Sequence, residues 1–381
     1  MDRWLDTARY DRLERAPVLL AFAAFLGACE PETTSSLGPM SDRATQQDNP
    51  QCLALAIPLN PTNVAKDGIP ALSDPTFVAP DAPGAAYVNG ETRVVGIVVA
   101  GEPLAIPLNL LWWHEIVNLR RGSQDVAITY CPLTGSSISF DRAGIGGQEL
   151  RVSGLPQDNN PVMFDKSDDE SLWGQMTALG ICGSAHGRAP PSVQSIETSL
   201  AEWRSMHPDT KVASSETGYD RNYSVNPYVD YWRTDAPPLF QTELPDGRLP
   251  PKQLVLAIPG GEVGGRAIPL NERAPMAREA INLEVDDAYM VAFWDGPSRT
   301  AAAYFANADW PTDFDASRGP LTFDAVAGGY ADRETNTLRN LEGQAIAGPG
   351  TGGRLVRRPR SYVAFCFAWV VLRPATEMHS G

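Results

Sequence analysis

Apolar and polar positions alternate with period two at Val126, Ile128 and Tyr130 and again at Ile138 and Phe140, with Pro132 and Gly135 between the two runs. This is the pattern of two half-buried strands folded about a tight turn, and it puts Cys131 at the corner. The same reading gives strands at 94–99, 104–108, 150–153 and 162–165. A short helix opens at Asn109, with Leu110, Trp113, His114 and Val117 on its inner face. A second helix, 200–206, starts at the capping box of Ser199 and Glu202 and is stopped by Pro208.

This order of patterns occurs twice. The Ala-Ile-Pro-Leu-Asn of 105–109 returns at 267–271, and Trp203 with Pro208 and Thr210 returns at nearly the same displacement as Trp369 with Pro374 and Thr376. Between these anchors, 116–118 answers to 280–282 and 127–130 to 290–293, followed by a turn at 295–298 and a return strand at 301–305. The expected fold is therefore mainly β (α+β), with two tandem homologous β-rich lobes, short peripheral helices and a pseudo-twofold between the lobes. The first lobe is placed at 52–215, its repeat unit at about 88–215, and the second lobe at 251–381. Residues 365–372 look like a strand by composition, but the repeat sets them on the helix of 200–206, so a buried helix is expected there. Between the lobes, 216–250 has no sustained period and carries Tyr219, Tyr223, Tyr228, Tyr231 and Trp232. It reads as an aromatic, Pro-rich strap whose rings bury against both lobes while their hydroxyls stay wet.

The N-terminus carries an address. Residues 16–28 are an apolar run behind Arg12 and Arg15, too short to span a bilayer and of signal-peptide length. The run ends Leu26, Gly27, Ala28, Cys29, which resembles the bacterial lipoprotein signal, so 1–28 is expected to be removed and Cys29 lipidated. Residues 29–51, rich in Ser, Thr, Pro, Gln and Asp, read as a flexible tether. The expected location is the cell envelope, on its periplasmic or outer face, with the membrane reached through lipid on Cys29. A net charge of −15 with almost no Lys leaves no basic patch and argues against nucleic acid as a partner. Cys52, Cys131, Cys182 and Cys366 remain for an oxidising compartment, and their three possible pairings are not separable by spacing.

The motifs at 66–72, 113–118, 130–135, 140–142, 207–210 and 217–219 with Tyr223 together resemble the family catalogued as domain of unknown function 3179. The resemblance covers 66–378 and implies an extracytoplasmic or membrane-associated prokaryotic protein, with no activity attached. Relatives look to have Cys-Pro-Leu-Cys at the hairpin, whereas this chain has Thr134 at the second cysteine position. That departure removes the dithiol a thioredoxin-like exchange would use.

Candidate chemistry concentrates in the first half. Cys131, His114 and His207 are the candidate catalytic residues, and Cys131, His114, His186 and Cys182 could offer soft and borderline ligands to zinc or copper. Tyr219, Tyr223 and Tyr228, with Asp141 and Arg142, are the candidate ligand-binding residues. The acidic run Asp165, Asp168, Asp169, Glu170 lacks EF-hand spacing and reads as a solvated turn, and the Gly-rich 260–265 precedes a strand, so it reads as a hairpin turn. The sequence leaves the function unknown. Its preferred reading is a ligand-binding or structural module, and its alternative is a thiol- or metal-dependent enzyme centred on Cys131 and the histidines of the first half.

The anchor is tested by labelling cells with a fatty acid: wild-type protein should take up label, and Cys29→Ala should be soluble or retained as uncleaved precursor. Unlabelled wild-type protein would dispose of the anchor.

Overall fold

The computed structural model describes Leu59 and residues 62–242, 246–270, 276–310 and 319–379. The signal and tether expected at 1–51, together with Cys29, Cys52 and Asn271, lie outside the described residues. The chain is mainly β, and its strands form six small sheets in a propeller-like ring. The first sheet runs Ser195–Ser199, Arg93–Val99, Glu102–Pro107, Lys211–Ala213, Phe77–Val78. The second runs Leu72–Ser73, Ile116–Arg121, Gln124–Cys131, Ser136–Asp141, Ser192–Val193, and the third joins four strands between Leu150 and Cys182. The fourth is Tyr362–Phe365, Leu254–Gly260, Gly264–Pro269, Ala375–Met378; the fifth is Arg278–Val285, Ala288–Asp295, Thr300–Asp309, Arg354–Arg357. The sixth joins four short strands between Phe323 and Ala347.

Apolar alternation places one face of each sheet against its neighbour, so the cores lie between sheets. Val95 and Ile106 of the first sheet pack with Val117 and Ile128 of the second. Phe140 of the second, Trp173 of the third and Val255 of the fourth share another cluster, and Leu256 of the fourth meets Met290 of the fifth in the next. Phe293 and Tyr304 of the fifth sheet, Tyr330 of the sixth and Val94 of the first make the last cluster, which closes the circle. This corrects the expectation of two lobes: two of the four clusters contain residues from both halves, and 46–381 is one compact unit.

Three short α-helices are present among the described residues: α1 (Leu108–His114) joins the first sheet to the second, while α2 (Leu200–Met206) and α3 (Cys366–Leu372) each connect two strands of one sheet, the first and the fourth. Helix α1 ends earlier than its apolar spacing suggests, because Glu115 takes a positive φ of 56° and Val117 enters a strand. Residues 366–372 form a helix despite their strand-like composition, and Cys366 to Val371 are all buried, as expected for this segment, whereas α2 keeps an exposed face at Ala201, Arg204 and Ser205. Ser199 caps α2 by accepting from Glu202 N at 3.2 Å. Trp203 of α2 lies flat on Gly96, where a Cβ would stand 2.3 Å from the indole. The strand after α2, Lys211–Ala213, adds in parallel to Glu102–Pro107; α3 is followed by Ala375–Met378, parallel to Gly264–Pro269.

Between Ala213 and Leu254 the described residues form neither helix nor strand. Of the aromatic side chains of this strap, Tyr223 is buried, Tyr228, Tyr231 and Trp232 are half-buried and Tyr219 stays exposed, and the hydroxyls of Tyr223 and Tyr231 are bonded to protein groups instead of staying wet. Gly96→Ala should lower the melting temperature, because overpacking a filled site costs about 1–3 kcal/mol. A variant as stable as wild type in thermal unfolding would show that Trp203 is not seated on Gly96.

Candidate functional site

The hairpin corner at Cys131 is held by its own backbone oxygens. A buried carbonyl needs a donor, and three consecutive carbonyls here find three different ones. Pro132 O accepts from Trp232 Nε1 at 2.8 Å, Leu133 O from Tyr231 Oη at 2.8 Å, and Thr134 O from Phe365 N at 2.8 Å. Gly135 has φ 59°, and a Cβ there would lie 3.3 Å from the Phe365 ring, so glycine meets both the turn and the close approach. Thr134 is fully buried and joins a polar network with Ser136 (2.8 Å) and Asn160 (3.1 Å), which Gln175 extends to Thr129 at 3.0 Å. The residue standing where relatives look to have a second cysteine is thus a hydrogen-bonding member of the seam between the second and third sheets.

Cys131 is 2% exposed, and its Sγ lies 3.5 Å from Asn159 O. It is a free thiol. Burial pushes its pKa up to about 12, and the neighbouring Glu115 carboxyl adds to the rise. A thiol in that state is protonated at neutral pH and a poor nucleophile. Glu115 is itself buried, which raises its pKa from 4.5 to about 8. Burial, then Glu115 and Cys131, push Tyr228 well above its ordinary range. These three groups are brought together under the strap, and all three are neutral at pH 7.

His114 is fully buried and both ring nitrogens are engaged. Nδ1 is 2.7 Å from Pro70 O, which can only accept, so Nδ1 carries the hydrogen. Burial, assisted by the charge of Arg221, lowers the imidazole pKa to about 4, so Nε2 is an acceptor and takes the hydroxyl hydrogen of Tyr223 at 2.7 Å. Tyr223 Oη in turn accepts from Thr217 Oγ1 at 2.6 Å, and the Tyr219 ring sits 5.2 Å from the imidazole. The imidazole anchors the strap to α1. The expected pairing of His114 with Cys131 is corrected on two counts. No hydrogen bond or ion pair joins them among the described residues, and the thiol pKa moves up instead of down.

The other sequence candidates are dispersed. His207 stacks on Trp203 at 4.1 Å between centroids, and its Nε2 lies 2.9 Å from Glu342 Oε2, which links α2 to the sixth sheet. His186 is exposed at the end of the turn Gly183–Ala185. Cys182 is disulfide-bonded, so the sulfur proposed as a metal ligand is spent, and its partner is not Cys131, which is free. Among the described residues no three His, Cys, Asp or Glu side chains are placed to share a metal ion. Asp141 accepts from Ala143 N at 2.9 Å and caps the turn Arg142–Ile145, while buried Arg142 pairs with Asp125 at 3.2 Å; neither touches the strap tyrosines. In the acidic run, Asp165 is buried and accepts from Trp173 Nε1 at 2.8 Å, and Asp169 accepts from the backbone N–H of Ser184 and from serine hydroxyls, which lower its pKa to about 2.

A pocket of about 300 Å³ opens where edge strands of four sheets converge: Ser192–Val193, Ser195–Ser199, Arg354–Arg357 and Tyr362–Phe365. In a propeller-like ring such inner edges line the middle. The lining of the pocket includes Ser137, Ser139, Ser192 and Ser195 together with Arg354, Arg357, Arg358 and Arg360. Glu197 lies in it too, engaged by Arg93 at 3.1 Å. Arg357 Nη1 and Arg358 Nε are buried without a hydrogen-bond partner. Reading the sequence for net charge missed these arginines: a run of four within 354–360 is a basic patch inside an acidic chain, and the run itself was the signal. Glu115 was missed as well, although a lone carboxyl amid the apolar residues 110–119 marks a buried acid.

Because the folded pKa of Glu115 lies above its unfolded value, its contribution to stability is complete below pH 4.5 and is lost as pH rises to about 8. The loss has a slope of about 1.4 kcal/mol per pH unit. Glu115→Gln should therefore match wild type near pH 4.5 and exceed it in denaturant melts at pH 8. A difference that does not change with pH would contradict the burial of a neutral acid.

No curated protein and no solved structure matches the chain. A family model does match, over residues 66–376, which takes in every sheet of the ring and the whole strap. The chain belongs to the family described as Protein of unknown function (DUF3179).

Proposed function

We propose that the protein is a lipid-anchored ligand-binding module of the cell envelope, which takes a small molecule into the pocket in the middle of the ring. The observation that carries this reading is the convergence of four edge strands on one polar pocket whose volume lies at the low end of small-molecule sites, about 300–1,000 Å³. Two further facts favour the location. The apolar run before Cys29 has lipoprotein form, and a disulfide at Cys182 suits an oxidising compartment. No helix among the described residues is long and apolar enough to cross a membrane. The thiol- or metal-dependent enzyme has less support, since Cys131 is buried and protonated and His114 has no free nitrogen.

We also read the ring as a duplication in which the first three sheets correspond to the last three by a pseudo-twofold. What supports this is the order of pairing: in each half an antiparallel pair is followed by three antiparallel strands, then a four-stranded sheet, then a strand returning to each of the first two sheets, then a helix and a parallel strand. The pocket sits where the returning strands of both halves meet, and only the second half brings arginines to it. The site is thus carried by the divergence of the halves.

The test is a thermal-shift screen of the full-length protein with small molecules of differing charge. At least one class should raise the melting temperature, and Gln194→Trp at the exposed rim of the pocket should abolish that rise. If no class shifts the protein, or if the shift survives the blocked rim, the binding reading falls.

A further inference from the structure

We propose that the occupant of this pocket is a multiply charged oxyanion, a phosphate or polycarboxylate, held by Arg354, Arg357 and Arg360 with serine hydroxyls of the same lining. This deepens the binding reading and rests on it. Four guanidiniums line the pocket against two carboxylates, Glu197 and Asp309, in a chain whose net charge is −15. Of these carboxylates, Glu197 already pairs with Arg93. Arg358 is partly satisfied by Pro259 O at 2.8 Å, and Asp286 stands 3.9 Å away. Arg354, Arg357 and Arg360 have no ion-pair partner among the described residues.

Guanidiniums gathered in a concave site repel one another, and removing them from water without a counter-charge is unfavourable. A buried guanidinium N–H with no acceptor adds to that cost, and there are two here, at Arg357 Nη1 and Arg358 Nε. An oxyanion supplies the missing counter-charge, because the planar guanidinium fork matches carboxylate and phosphate oxygens in bidentate fashion. The rest of the lining suits the same ligand. Ser139 and Ser195 share a hydrogen bond at 2.9 Å, and with Ser192 they add hydroxyl groups to the pocket that holds the arginines. Arg360 holds a positive φ of 58° in the tight turn that Ser361 N closes onto Arg358 O at 3.3 Å. That turn keeps Arg358 and Arg360 in the pocket lining at the expense of a backbone conformation that side chains disfavour.

Isothermal titration and thermal unfolding of the full-length protein with inorganic phosphate, citrate, glycerol and choline decide the matter. Phosphate or citrate should bind saturably, more weakly as salt is raised, and whichever binds better identifies the oxyanion type. Arg354→Gln and Arg360→Gln, at side chains that reach the surface, should each keep the ligand-free melting temperature and weaken that binding at least about tenfold, the loss of one charge-assisted contact. Anion binding that is equal in wild type and in both variants would overturn the assignment. If glycerol or choline binds and Gln194→Trp removes it while neither anion binds, the oxyanion inference falls and the binding module stands. If none of the four binds, both fall together.

Discussion

The turn after Cys131 is the constraint on which the ring depends. A tight turn exposes carbonyl oxygens that its own strands cannot satisfy, and in a buried turn each one must be met from elsewhere. Here the donors come from the strap and from the residue that precedes α3. A single turn of the second sheet therefore fixes the path of the chain between the halves and docks the fourth sheet. The Thr134 network does the same toward the third sheet. With a second thiol in place of the Thr134 hydroxyl, that seam would lose a strong hydrogen-bonding group for a weak one.

This arrangement explains why the strap is aromatic. Trp232 and Tyr231 give large apolar area and one donor each, which suits a segment that must cover a core and still satisfy carbonyls. Tyr223 does the same at the other end, where a neutral His114 receives its hydroxyl hydrogen. The strap thereby seals Cys131, Glu115 and Tyr228 from water, and burial holds each in its uncharged form.

Local elements were readable because they depend on local rules. The N-cap at Ser199, the turn at Pro132 and Gly135 and the helix at 366–372 all appear where pattern and repeat put them. The architecture was not readable, because a repeat says which segments correspond and not which faces pack. Phe140 packs with Val255 as readily as with its own half, and only the three-dimensional clusters show it. Roles at the site failed for a related reason. Cys131 and His114 have reactive side chains, but reactivity depends on exposure and on free lone pairs, and the fold removes both. The pocket arginines were missed because a net charge averages over the chain, whereas a pocket feels only the charges that line it.

The contrast between the two sites bears on where chemistry can reside. Cys131, Glu115, Tyr228 and His114 are buried into neutrality, so that cluster offers a ligand no charge at physiological pH. The pocket holds the opposite kind of group, since guanidinium stays protonated under any condition in which the protein is folded. Charge that cannot be removed by proton transfer has to be balanced by a counter-charge. The fold places few carboxylates near these arginines although the chain has many to spare, and it surrounds them with hydroxyls that can donate to an oxyanion but cannot neutralise a cation. Of the polar groups that sequence and structure bring into view, it is therefore the arginines of the second half, and not the cysteine and histidines of the first, that have unspent bonding capacity.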